Sequence, residues 1–88
     1  PDYYISKNKI TLPPKADADQ LLEAFQKVYS SYDVNTVDGV KVDMPEGWVH
    51  LRKSNTEPII RLYAEAGSSE EAERIAAEAK KSIDQLMN

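Results

Sequence analysis

Cysteine is absent from this chain, so neither a disulfide framework nor a thiolate metal site is available to it. Histidine occurs once, as His50, and no Asp or Ser stands near it in a pattern that reads as a catalytic pair. A structural or solvent-facing role is therefore its expected one. No apolar run approaches the length of a membrane span, and no charged-then-apolar leader is visible. The expectation is a cytoplasmic setting without a membrane partner. Basic residues are the minority, 11 Lys and Arg against 15 Asp and Glu, for a net charge of −4. That balance disfavours a polyanion such as nucleic acid as partner.

What is present is ordinary in amount and uneven in placement. Eighty-eight residues, 41% hydrophobic and 30% charged, suit one globular domain with a modest core. Between Trp48 and Tyr63, Arg52, Lys53 and Arg61 stand against Glu57, a local +2 that leaves −6 on the remainder. A positive island on an acidic body suits a small anion.

The chain opens on a strand pattern from Pro1 to Leu12, with Lys7-Asn8-Lys9 as a polar interruption that reads as either a bulge or a turn. Pro13-Pro14 ends it. Asp17 is placed as an N-cap with Gln20 completing a capping box. Ala18, Leu21, Leu22, Phe25, Val28, Tyr29 and Tyr32 then recur at the spacing of one helical face. Val34–Asp38 and Val40–Met44 flank Gly39, and Asp38-Gly39 is a hairpin signal. Pro45-Glu46-Gly47 turns the chain into Trp48–Leu51, where Val49 and Leu51 face one side and Trp48, His50 and Arg52 the other. After a polar connection, Ile60, Leu62 and Ala64 oppose Ile59, Arg61, Tyr63 and Glu65. Ser68 and Glu71 form a capping box for a final helix that buries Ala72, Ile75, Ala76, Ala79, Ile83 and Leu86. Its acidic first turn complements the helix dipole and is a solvated cap, not a metal site. The order is β-α-β-β-β-β-α. The fold class is α+β, a four- to five-stranded antiparallel sheet with both helices on one face.

The connection Arg52-Lys53-Ser54-Asn55-Thr56-Glu57-Pro58 concentrates donors: a guanidinium, two hydroxyls and an amide. Arg forks onto phosphate in a bidentate manner. Asn55 tolerates a left-handed backbone, in which successive N–H groups would converge into an anion nest. Pro58 fixes the entry to the next strand. This run, with Arg61, Tyr63 and Glu65 after it, strongly resembles the phosphate-binding loop of the α-D-phosphohexomutases, in their fourth, C-terminal domain. The resemblance covers essentially the whole chain. It implies a sheet-and-helix plan similar to that of the TATA-binding protein. It also implies a single domain over residues 1–88 excised from a larger enzyme, with Tyr3 and Tyr4 packing at the junction with the preceding domain.

By this resemblance the parent enzyme is an isomerase interconverting hexose 1-phosphate and hexose 6-phosphate through a bisphosphorylated sugar, using a phosphoserine and Mg2+. The phosphoserine, metal and sugar-recognition loops are not found in this sequence, so no catalytic or metal residue is assigned here and the chain alone is expected to be inactive. Arg52, Ser54, Asn55 and Thr56 are implied to bind the phosphate that is not reacting. Glu57 and Pro58 are read as loop-shaping, and Arg61 as pairing with Glu57 or adding to the field. The implied partners are the phosphosugar, its bisphosphorylated intermediate and three further domains. The rival readings are a stand-alone nucleic-acid-binding module with Trp48, His50, Arg52 and Arg61 as its face, and a stand-alone phospho-ligand-binding module.

Overall fold

Strict alternation decides which side of each strand is buried, and the computed structural model, which describes residues 3–87, follows it closely. Its elements are β1 (Tyr4–Thr11), α1 (Ala18–Val28), β2 (Asp33–Asn35), β3 (Val40–Met44), β4 (Gly47–Lys53), β5 (Ile59–Ala66) and α2 (Ser69–Met87). The strands form one sheet in the order β1-β5-β4-β3-β2, with every neighbouring pair antiparallel. The first strand thus lies beside the last, and α1 carries the chain from one edge of the sheet to the other.

Val42, Val49, Leu51, Ile60, Leu62 and Ala64 on one sheet face join Leu21, Leu22 and Phe25 of α1 and Ala72, Ile75, Ala79 and Ile83 of α2 in a single core. Both helices therefore cover that face, as the alternation requires. Val42, Val49, Leu51, Ile60, Leu62, Phe25 and Ile83 are fully buried. Each such side chain contributes about 1.5–3 kcal/mol of transfer free energy. Alanines at 64, 72, 76 and 79 let α2 lie close on β5 and β1. The opposite face is left open.

Several local expectations change. Lys7-Asn8-Lys9 interrupts nothing: β1 pairs without a break from Tyr4 opposite Ala66 to Thr11 opposite Ile59. Lys7 and Lys9 alternate onto the open face, while on the covered side Asn8 Nδ2 donates to Ser6 Oγ (2.9 Å) and Ser6 Oγ to Glu73 Oε1 (3.0 Å). Polar residues are tolerated in this edge strand because the helix beside it answers them. Asp17 caps α1, accepting from the amides of Asp19 and Gln20, but Gln20 returns no bond among the described residues. The helix stops at Val28, which leaves Val28 and Tyr32 outside the core, at 56% and 45% exposure. Ser68 Oγ accepts from the Glu71 amide at the start of α2, while the Glu71 carboxylate turns to Arg74 instead of closing a box. The hairpin at Asp38-Gly39 forms, yet β2 is shorter than Val34–Asp38 suggests. It ends at Asn35, whose Oδ1 accepts from the Val37 amide (2.9 Å) and bends the chain early. Tyr3 and Tyr4 are exposed, at 71% and 49%; Pro1 and Asp2 lie outside the described residues.

Candidate phosphate-binding loop

The loop between β4 and β5 is held from three directions. The Ser54 amide donates to the Ile59 carbonyl (3.1 Å) across its base, the Ile59 amide to the Glu57 carbonyl (2.8 Å), and the Leu12 amide to the Pro58 carbonyl (2.8 Å). Glu57 and Pro58 thus shape the loop through their backbones. Inside it, Ser54 Oγ accepts from the amides of Thr56 (3.3 Å) and Glu57 (3.2 Å) and lies 3.4 Å from Thr56 Oγ1. This corrects the expected nest. Among the described residues no non-glycine residue has positive φ, so Asn55 is not left-handed. The amides that were to converge on an anion converge on the serine hydroxyl, because a side-chain oxygen two residues back offers them a local acceptor.

The flanking cations pair with carboxylates outside the loop. Arg52 Nε lies 3.4 Å from Asp38 Oδ1, and Lys53 Nζ lies 2.9 Å from Asp19 Oδ2, which ties the loop to the first turn of α1. Arg61 forms no ion pair among the described residues, so its pairing with Glu57 does not occur. It stands directly between Lys9 and Arg52 on the open face, since Lys9 registers with Arg61 and Arg61 with Arg52. Like charges directly opposite one another on adjacent strands are destabilising. Three cations abreast therefore add a positive field at a small cost in stability.

The assigned residues do not all meet in one hollow. Arg52, Lys53 and Asn55 line a cleft of about 270 Å3 with Asp19, Leu22, Asp38 and Gly39. Ser54 lines a second, of about 430 Å3, with Lys53, Glu57 and Pro58 against the Pro13–Asp19 segment. Thr56 lines neither. A further hollow, about 670 Å3 between the start of α1 and the end of α2, adjoins the second one at residues 13–17 but takes no lining from the loop, and is lined mainly by apolar side chains such as Leu21, Leu86 and Met87.

No group of three potential ligands for a metal ion occurs among the described residues. Asp17 and Asp19 stand at an Asp-x-Asp spacing, but Asp17 caps α1 and Asp19 holds Lys53. Two acids of α2 are engaged by Arg74, which pairs with Glu71 (2.9 Å) and Glu78 (3.0 Å) and also with Glu46 before β4 (3.1 Å). Glu71 first, then Glu46 and Glu78, raise the Arg74 guanidinium above its ordinary pKa. A backbone hydrogen bond and then Arg74 hold the Glu46 carboxyl below the usual range. His50 is half-buried on the open face, and its Nε2 bonds the Asp38 carbonyl.

Sequence reasoning missed Asp38 and Asp19 as partners of the loop cations, and Lys9 as neighbour of Arg61. Asp19 lies 34 residues from Lys53 and left no local signal. Asp38 was reachable in principle, because pairing Val40 with Leu51 sets Gly39 across from Arg52.

A one-sided antiparallel sheet with a donor-rich strand connection beside a row of cations defines an α+β domain with a candidate anion site. Its relatives give the family. Residues 9–82 match the family model described as "Phosphoglucomutase/phosphomannomutase, C-terminal domain", and the chain belongs to that family. It is 38% identical over 86 residues to a phosphoglucosamine/phosphogalactosamine mutase of Sulfurisphaera tokodaii, covering 96% of this chain and 19% of that protein. It is 40% identical over 74 residues to a phosphoglucomutase/phosphomannomutase of Thermococcus kodakarensis, covering 82% of this chain and 16% of that one. A crystal structure of a phosphoglucomutase/phosphomannomutase family protein from Burkholderia thailandensis superposes with a TM-score of 0.70 at 24% identity, over 97% of this chain and 18% of that one. The chain therefore spans less than a fifth of the length of these relatives. No helix among the described residues is long and apolar enough to cross a membrane.

Proposed function

We propose that Arg52, Ser54, Asn55 and Thr56 grip the non-reacting phosphate of a hexose phosphate, and that residues 1–88 act as one domain of a longer phosphohexomutase. The observation that carries this reading is the Arg52–Pro58 sequence on a rigidly bonded connection between β4 and β5 in a chain of this family. Glu57 and Pro58 hold the loop, and Arg61 and Lys9 add positive field. Because the amides of Thr56 and Glu57 are engaged by Ser54, the first donors a phosphate meets are side chains. When phosphate enters, the Ser54 hydroxyl turns to donate to it and frees those amides.

A grip of this kind contributes by positioning. Binding energy from the distal phosphate orients the sugar oxygen that reacts elsewhere and favours closure of the parent around it. Because each end of the hexose carries the phosphate in turn, a loop that recognises phosphate alone serves both orientations. Among the described residues no group of three potential ligands could hold Mg2+, and no step of the reaction is assigned to this chain. The nucleic-acid reading loses its stacking platform: Trp48 Nε1 is bound to Glu65 Oε2 (2.8 Å) and Lys41 lies over the ring, 5.1 Å from its centre.

Titrating the chain with inorganic phosphate or a hexose phosphate should shift the amides of residues 52–57 selectively, with a Kd on the order of millimolar, since one loop is only part of a site. Shifts centred on α1 or α2 would overturn the reading. A coupled mutase assay on the same folded chain should show no turnover, and activity that rises with purity would show that the missing loops are not needed.

A further inference from the structure

The hairpin turn between β2 and β3 touches Arg52 in a way that its own sequence does not require. The Asp38 carboxylate stands 3.4 Å from Arg52 Nε, without a hydrogen bond between them, so it attracts the guanidinium while leaving its donors unspent. Gly39, at φ +72°, approaches so closely that a Cβ there would sit 2.3 Å from the Leu51 carbonyl oxygen and 3.0 Å from Arg52 Cγ. The His50 ring, two residues before Arg52 on the same face of β4, bonds the Asp38 carbonyl. A carbonyl only accepts, so Nε2 carries the proton and donates. Asn35 braces the other side of the turn through the Val37 amide. Four contacts thus fix a carboxylate beside the stem and head of one exposed arginine.

We propose that the Asp38-Gly39 turn is a positioning device for Arg52: His50 pins the turn, Gly39 lets it lie on the arginine stem, and Asp38 aims the guanidinium into the cleft it shares with Asn55. This deepens the phosphate reading and rests on it. It also gives His50 a task that neither catalysis nor packing supplies. An arginine has many rotamers, and the entropy lost on binding falls if the head is already aimed. The same carboxylate also repels an incoming dianion. Which effect wins is a matter of sign, and the proposal commits to aiming.

The test is phosphate affinity of the chain at low salt, read by chemical-shift titration together with the Arg52 Nε–Hε signal. Arg52→Ala first establishes that Arg52 binds phosphate; if it leaves affinity unchanged, the phosphate reading itself fails. Given that Arg52 matters, Asp38→Asn should weaken phosphate about two- to fivefold, the scale of one exposed ion pair, shift the Nε–Hε signal, and lose its effect at high salt. His50→Ala should weaken phosphate similarly, and His50→Gln should restore it, because an amide nitrogen can donate to the same carbonyl. Tighter or unchanged phosphate binding in Asp38→Asn would overturn the proposal and leave Asp38 as a competing charge. Identical binding in wild type and His50→Ala would remove the pin. Both residues are at the surface of the sheet, so cooperative melting of each variant separates these outcomes from unfolding.

Discussion

The open face of the sheet has two ends that treat charge in opposite ways. Around Trp48 most charges are answered nearby: Glu65 on β5 accepts from the indole N–H, Lys41 on β3 lies over its ring, and Asp43 of the same strand stands 3.9 Å from Lys41, although Asp33 registers opposite Asp43. Around Arg52 the sheet instead aligns Lys9, Arg61 and Arg52, and the one carboxylate supplied, Asp38, sits beyond the row. The first end is closed on itself except for the Asp33–Asp43 pair at its outer edge. The second accepts a repulsion that burial and packing do not demand, which makes sense if an anion from outside completes it. On the proposed reading, the contrast separates residues that serve the fold from residues that serve a ligand, although both groups lie on the same surface with the same alternation.

The sharpest way to break the comparison is to remove the proposed ligand-facing cation in the proposed longer phosphohexomutase. Arg52→Ala should lower kcat/KM by roughly one to three orders of magnitude, since charge-assisted hydrogen bonds contribute ~1.5–3 kcal/mol each. Arg52→Lys should recover only part, because an ammonium keeps the charge without the fork. Tm should barely move, as Arg52 projects from an exposed strand end. Unfolding, or an unchanged kcat/KM, would make Arg52 structural or idle.

The mirror experiment is at the other end. Trp48→Phe removes the bond to Glu65 and should cost about 1 kcal/mol by denaturant unfolding while leaving phosphate affinity untouched. A loss of affinity equal to that of Arg52→Ala would show that the two ends are not separate.

Arg61→Gln sharpens the contrast by making stability and binding move apart. Relief of repulsion from Lys9 and Arg52 should stabilise the chain by about 0.2–1 kcal/mol, while phosphate binds more weakly. If both quantities fall together, Arg61 holds the sheet and does not serve the site.

The smallest effect lies off the open face, where Arg74 joins α2 to the turn before β4. The Glu46 carboxyl is held below its ordinary value, so its contribution is fully present at neutral pH and is lost as pH falls through its lowered pKa. Arg74→Ala should remove part of that acid sensitivity, only part because the backbone bond to Glu46 is the larger cause. Melting curves between neutral pH and about pH 3 check it; an unchanged acid limb would show that the Arg74 cluster is too exposed to matter.

Much of the molecule was legible before any coordinates. The alternation of Val49, Leu51, Ile60 and Leu62 assigned the buried face of two strands, and the spacing of Leu21, Leu22, Phe25 and of Ala72 to Ile83 assigned both helices. The Arg52–Pro58 run marked the candidate site and its family. Each of these signals is local: a side chain's direction repeats every two residues in a strand and every 3.6 in a helix, whatever the rest of the chain does. Tertiary structure decided what local periodicity cannot carry. It placed β1 beside β5, which set Lys9 next to Arg61; it brought Asp19 to Lys53 and Asp38 to Arg52; and it gave the Thr56 and Glu57 amides to Ser54 Oγ, with no left-handed turn at Asn55. Strand register and the exact course of a bonded loop depend on which distant backbones meet. One strand step, ~3.3 Å, is enough to exchange one ion-pair partner for another.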